Sequence, residues 1–359
     1  MHLRFLIISC TIALFACNDD ELISECEQPP CTDYSTGIFI ANEGPFQTGT
    51  GRLSHLDAQK TTIQNQIYKT ANDGAAIGNI LQSLSVHNDR IYLVANNANK
   101  VIVVDQSNLQ KIGEIELPQP RYFQAINANA AYISFWGEGG QSEGYALVDL
   151  TALTVTATYS AGRGAEQMLL HNGKVYLTNQ GGFSRDSIVS VINTQTHQVE
   201  KEIVVGQNPN AITKDEAGNI WVGCIGYSAE YDPNDPNLIP GQLVKIVEDE
   251  VTDVFVTGYG TGAGQLAINN NKKELYFIKG SGFDGAINAL NINNGAWETI
   301  IEGTFSTLAF DPMDTTILAS DVLDFGTSGL LHIYNNAYDL EQTFTTDIGP
   351  RFIYVIAEP

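Results

Sequence analysis

An apolar run carrying an aromatic, a glycine-rich gap, and a second apolar run that closes on Asp or Asn recur along the chain. Asp105, Asp149 and Asn193 stand 44 residues apart, and Asn291 and Asn335 repeat the step. Such a period is that of one four-stranded blade in a radial repeat. It also fixes the role of the recurring polar residues. A short Asp or Asn side chain bonds its own backbone and starts a tight turn, so these positions are read as turn residues and not as catalytic ones.

Seven second-strand cores can be laid out: Ile38-Phe39-Ile40, Ile91-Tyr92-Leu93, Tyr132-Ile133, Val175-Tyr176-Leu177, Ile220-Trp221-Val222, Leu275-Tyr276-Phe277 and Ile317-Leu318. Third strands follow within 53–56, 101–104, 146–148, 188–192, 243–247, 287–290 and 330–334. No first strand precedes Gly37–Ala41, and the missing partner is Pro350–Val355 at the far end of the chain. The expected fold is all-β, a seven-bladed β-propeller over residues 37–359, its ring closed by the C-terminal strand joining the N-terminal blade, which leaves no open edge there. Composition agrees: 33 Gly, 15 Tyr and 15 Phe accompany no long stretch of helical period.

Ahead of the repeat, residues 1–16 read as a secretory signal, with Arg4 followed by an apolar stretch from Phe5 to Phe15 that is too short to span a membrane. Leu14-Phe15-Ala16-Cys17 resembles a bacterial lipobox, whose Cys is acylated; the competing reading is an ordinary secretory signal with an incidental Cys. Residues 17–36 are polar, acidic and Pro-containing, which suits a flexible stalk. Cys26 and Cys31 are either a small disulfide loop or two free thiols. Cys224, beside Trp221 and Val222, is read as a buried core thiol. The 18 Lys and Arg against 41 Asp and Glu give a net charge of −23, which argues against nucleic acid or an anionic membrane surface as partner.

Function is sought in the loops, which the packing of the strands leaves free to vary. Those between second and third strands carry Phe46, Trp136, Phe183 with Arg185, Tyr227 and Tyr231, Phe283 and Phe325; only the loop Asn96-Asn97-Ala98-Asn99 is bare. The connections feeding the inner strands emerge on the same face of a propeller and hold Arg121-Tyr122-Phe123, Arg163, Tyr259, Phe305 and Arg351-Phe352. Aromatic plates and arginines on an acidic protein suit a planar or amphipathic ligand with anionic or amide groups. The competing reading is that the rings fold back over the blade tops and the arginines neutralise carboxylates such as Glu43 and Glu166. Gln82, Gln167, Asn210 and Gln265 stand just before inner strands and are placed around the channel mouth, to contact ligand or to bond one another and trapped water.

Signals for chemistry are few. The loop 223–242 carries Asp232, Asn234, Asp235 and Asn237 but lacks the Asp-x-Asp-x-Asp-Gly spacing of a dedicated calcium loop. The histidines are scattered, no zinc cluster or nucleophile elbow is present, and the glycines 258, 260, 262 and 264 have the wrong spacing for a phosphate loop. No catalytic residue, cofactor or metal is therefore expected.

Ala41-Asn42-Glu43-Gly44-Pro45-Phe46, Gly78-Asn79-Ile80-Leu81-Gln82-Ser83, Pro120-Arg121-Tyr122, and Val191-Ile192-Asn193-Thr194-Gln195-Thr196 with Val205-Gly206-Gln207-Asn208-Pro209 resemble the YncE-like seven-bladed propellers. More narrowly, over about residues 37–359, they resemble the Bacteroidetes lipoprotein branch grouped as DUF5074. Asn193 replaces that family's usual Asp, and the fifth blade is enlarged by about ten residues. Asn18-Asp19-Asp20-Glu21 resembles the acidic surface-export signal of Bacteroidetes lipoproteins. The resemblance implies an outer-membrane, lipid-anchored protein facing the cell exterior. It further implies a non-enzymatic binder that captures a small nutrient, a corrinoid (vitamin B12) first among them, and passes it to a TonB-dependent transporter. The alternatives are an adhesion or protein- or glycan-interaction propeller and, third, a quinoprotein-like oxidoreductase.

Overall fold

A computed structural model of the chain describes residues 33–45, 49–140, 142–229, 232, 235–281 and 284–356. Cys17, Cys26 and Cys31, with the expected signal and most of the stalk, lie outside them. Seven four-stranded antiparallel sheets make seven blades, as the repeat requires. Blade 1 is Pro350–Val355, Ile38–Asn42, Arg52–Leu56 and Ile63–Gln64, from inner to outer strand. Blade 2 runs Leu81–His87, Arg90–Ala95, Lys100–Asp105 and Lys111–Glu116; blade 3 runs Pro120–Asn127, Ala130–Phe135, Gly144–Asp149 and Thr154–Ser160. Blade 4 is Ala165–His171, Lys174–Asn179, Ile188–Asn193 and Gln198–Val204, and blade 5 is Pro209–Lys214, Ile220–Cys224, Gln242–Val247 and Glu250–Val256. Blade 6 comprises Ala263–Asn269, Glu274–Gly280, Gly285–Asn291 and Trp297–Phe305, and blade 7 comprises Thr307–Asp311, Thr316–Asp321, Ser328–Tyr334 and Leu340–Ile348.

The second strands read as unbroken apolar runs because both of their faces are buried. In blade 1, Ile38 and Ile40 face blade 7, packing with Leu318, Leu331 and Ile333, while the alternate residues Phe39 and Ala41 face blade 2, packing with Leu81 and Leu93. Blade 5 does the same with Ile220 and Val222 turned to blade 4 and Trp221 turned to blade 6. Seven apolar clusters result, one at each junction between neighbouring blades. Polar edges of the large rings are satisfied within the wedge: Trp221 Nε1 donates to Asp215 Oδ2 at 3.1 Å. Cys224 is free and buried, and burial pushes its thiol up to about 12.

The C-terminal strand closes the ring as expected, pairing antiparallel with Ile38–Asn42. Two details were not in the pattern. The connection from blade 1 to blade 2 contains a short helix, Ile67–Ala71, that buries Ile67 and Tyr68 against the first two blades. Tyr34, in the segment read as stalk, packs on Phe39 and His55 with ring centroids at 6.3 and 5.1 Å.

Candidate ligand-binding face

Six of the seven described inner strands are bulged at their first residues, and the bulges are what shape the channel mouth. Register shifts free Gln82 in blade 2, Arg121 and Tyr122 in blade 3, Glu166 and Gln167 in blade 4, Asn210 in blade 5, Gly264 and Gln265 in blade 6, and Arg351 in blade 1. The four amides therefore lie inside the inner strands, not ahead of them. Hydroxyls of the second strands hold several of the bulged backbones: Ser134 Oγ donates to Glu166 O and Thr178 Oγ1 to Asn210 O, at 2.7 and 3.2 Å.

The amides are committed to the scaffold. Gln167 Nε2 donates to Gly264 O at 2.7 Å, reaching from blade 4 to blade 6, and Asn210 Nδ2 donates to Gly262 O at 3.2 Å. Gln265 reaches past blade 7 to the closing strand, donating to Ile353 O at 3.1 Å and accepting from Ile353 N at 2.9 Å. Gln82 accepts from Arg121 Nη1 at 2.7 Å. Of the two roles open to these residues, bonding within the protein is the one that the geometry displays.

The arginines at the mouth are paired with the two carboxylates considered for them. Arg121 donates to Glu166 Oε1 from Nε and Nη2, both at 2.8 Å, and Arg351 Nε lies 3.4 Å from Glu43 Oε1. Burial drives both carboxyls above the ordinary glutamate range, opposed for Glu166 by Arg121 and for Glu43 by Arg351 and Arg121. Glu166 Oε2 is buried and has no hydrogen-bond partner among the described residues. Burial likewise pushes the Tyr122 phenol up to about 12, reinforced by the charge of Glu166 and opposed by Arg121.

Around these pairs rings are grouped on the face. Tyr122 lies 6.0 Å from Phe352; Arg121 Cζ sits 4.3 Å above the Trp136 ring, and Phe183 stands edge-on to Trp136 at 5.6 Å. Trp136 is fixed by Nε1 donating to Ala165 O at 3.2 Å, whereas Phe183 is 78% exposed. From the same loop as Phe183, Arg185 places its Cζ 4.0 Å from the ring centre of Tyr227 on blade 5. Arg163 is exposed and bonds Ser184 Oγ at 3.0 Å, which places its charge beside this pair. Tyr259 is half-buried and Phe325 is exposed, each in the loop where the sequence puts it. Two other rings belong to the core: Phe123 stacks on Tyr92 at 4.1 Å, and Phe305 is buried in blade 6 against Tyr334. Phe46, Tyr231 and Phe283 lie outside the described residues. In the loop 223–242, Asp235 accepts from Ala229 N and Asn237 N at 2.6 and 2.8 Å, so its carboxylate shapes the loop.

Fold and face together define a seven-bladed propeller with an aromatic and arginine-bearing surface at one mouth of its channel. Residues 36–233, more than half of the chain, match the family described as "Domain of unknown function (DUF5074)", and the chain belongs to it. No curated protein matches the sequence. Among solved structures, a quinonprotein alcohol dehydrogenase-like protein from Bacteroides thetaiotaomicron VPI-5482 is similar at a TM-score of 0.65 and 15% identity, covering 91% of this chain and 79% of that one. Hydrazine synthase from Kuenenia stuttgartiensis gives 0.62 and 14%, covering 88% and 99%. A functionally unknown protein from Desulfotomaculum acetoxidans gives 0.64 and 9%, covering 89% and 98%. At these identities the likeness extends to the fold alone.

Proposed function

We propose that this propeller is a binding protein that takes a small planar or amphipathic molecule on the mouth face, with a corrinoid as the leading ligand. The observation that carries the reading is the grouping of the Arg121 guanidinium over Trp136 with Phe183 edge-on to that indole, flanked by the ring pair Tyr122 and Phe352. Rings supply apolar area with little conformational entropy to lose, and a guanidinium held over an indole is pre-oriented toward amide or anionic groups. Binding is favoured over chemistry because the ionisable groups at the mouth are engaged with one another, Arg121 with Glu166 and Arg351 with Glu43. In this reading the chain is anchored by a lipid on Cys17, faces the cell exterior, and hands its ligand to a TonB-dependent outer-membrane transporter.

Calorimetric titration of the purified protein with cyanocobalamin tests the ligand. Saturable binding at micromolar concentration is expected. Phe183→Ala should weaken it about tenfold, the loss of roughly 1.4 kcal/mol that an exposed ring in contact would bring. Absence of binding at micromolar cyanocobalamin overturns the corrinoid assignment, and unchanged affinity in Phe183→Ala moves the ligand off this group of rings.

A further inference from the structure

A second concavity lies on the flank of blade 1, between the start of its third strand and the connection to blade 2, with a volume of about 230 Å³. We propose that it is a separate binding site for a small amphipathic monocarboxylate. Its floor is apolar, made by the buried side chains of Leu53, Tyr68 and Ile77; its rim is polar and cationic, made by Arg52, Gln66 and Lys69. That division, an apolar body below and a few placed polar groups above, is what fixes the orientation of a small ligand in a pocket. The volume exceeds the roughly 150 Å³ that suffices for benzene, and falls short of the roughly 300 Å³ at which drug-sized sites begin. The fitting occupant is a single ring or branched chain bearing one carboxylate.

The walls are preformed. Thr50 Oγ1 accepts from Gly78 N at 2.8 Å, and Gly51 N donates to Gly78 O at 2.7 Å, which sews the connection to the strand. Asp347 is fully occupied, one oxygen taking Arg52 Nη1 at 2.9 Å and the other Gln66 N at 3.1 Å. Arg52 is thereby held in place while its remaining donors, Nε and Nη2, have no partner among the described residues. Lys69 is exposed and enters no ion pair among them. On a chain of net charge −23, two cations with spare donors beside one satisfied carboxylate make a local exception to the field that would otherwise repel an anion. The guanidinium and the carboxylate that holds it come from segments that only the fold brings together, Arg52 from blade 1 and Asp347 from blade 7.

Calorimetric titration with phenylacetate, and with benzyl alcohol as its uncharged counterpart, tests the proposal on the full chain. Phenylacetate should bind saturably with a dissociation constant on the order of 1 mM, as suits a ligand of about ten heavy atoms. Lys69→Gln should weaken it about threefold to tenfold. Ala76→Trp, a change at an exposed lining position, should fill the space and abolish binding. Both variants alter exposed residues, so the fold is kept and the comparison stands. No saturation by about 10 mM overturns the site. So does binding indifferent to both variants, or benzyl alcohol binding as well as phenylacetate.

Discussion

At the scale of single residues, Glu166 shows how far the mouth can be inferred from sequence. The chain places an arginine and a glutamate near the axis and marks them as possible partners; it does not show that only one carboxylate oxygen is used. That follows from the bulges, which turn Arg121 and Glu166 toward each other from neighbouring blades. The pair has a consequence for stability. A carboxyl raised by burial favours the folded state fully below the ordinary glutamate value of 4.5 and loses that contribution as the pH rises through its folded value. Glu43 acts in the same sense. Turn aspartates act oppositely: backbone N–H groups of Ala152 and Gly326 hold Asp149 and Asp324 below the ordinary 3.8, so their contribution is present above that pH and fades as the pH falls through the lowered value. Urea midpoints should therefore peak in the mildly acidic range and decline as the pH rises above about 4.5. Glu166→Gln keeps an acceptor for Arg121 and removes the titration, so the decline above about pH 4.5 should be shallower. An equal decline in the variant would show that Glu166 carries none of it.

At the scale of the blade, the most legible elements were those governed by local chemistry. In five of the seven blades the turn after the third strand uses one acceptor oxygen two residues ahead of the N–H group it receives, at Asp105, Asp149, Asn193, Asn291 and Asn335, and Asp and Asn both supply it. Asp149 Oδ1 accepts from Thr151 N and Ala152 N at 2.8 and 2.9 Å; Asn193 Oδ1 accepts from Gln195 N and Thr196 N at 2.9 and 3.2 Å. This explains why Asn193 preserves the repeat where blades 2 and 3 carry Asp105 and Asp149. Asn193→Asp should leave the thermal midpoint nearly unchanged, and Asn193→Ala should cost about 1 kcal/mol of stability; an equal loss in both would mean that the Nδ2 bond to Glu200 matters more than the turn. The bulges were not legible for the converse reason. One extra residue at a strand's start leaves its apolar alternation intact, so nothing local announces it. The amides Gln167 and Gln265 reach blades two away, a relation set by ring geometry and invisible along the chain. The helix Ile67–Ala71 escaped notice because it is barely more than one turn, too short for a period to show.

At the scale of the whole molecule, the chain passes covalently from each blade to the next, from blade 7 into blade 1 through Gly349, and the non-covalent seam lies within blade 1, where Pro350–Val355 pairs with Ile38–Asn42. Blades 7 and 1 meet through the closing strand, and two ion clusters reinforce that seam. Arg52 reaches Asp347 on one side; on the other, buried Lys60 lies 2.7 Å from Asp311 and 2.5 Å from Asp314, with Thr316 Oγ1 at 2.7 Å. The closing strand was readable because its absence at one end and its presence at the other are both plain in the sequence. The clasp was not, since Lys60 and Asp314 are more than 250 residues apart and each looks like a surface charge. Exposed pairs contribute ~0–1 kcal/mol, and breaking a buried one costs ~3–5 kcal/mol. Lys60 is buried but Asp314 is half-exposed, so Lys60→Met should lower the unfolding free energy by about 3 kcal/mol. Lys201→Met, which breaks an exposed pair with Glu250 between blades 4 and 5, should leave it nearly unchanged. Hydrogen exchange gives the location: in Lys60→Met, the amides of Ile38–Asn42 should lose protection before those of the second strands elsewhere in the ring. Uniform loss around the ring would mean that it unfolds as one unit and that its closure is no weaker than its other junctions.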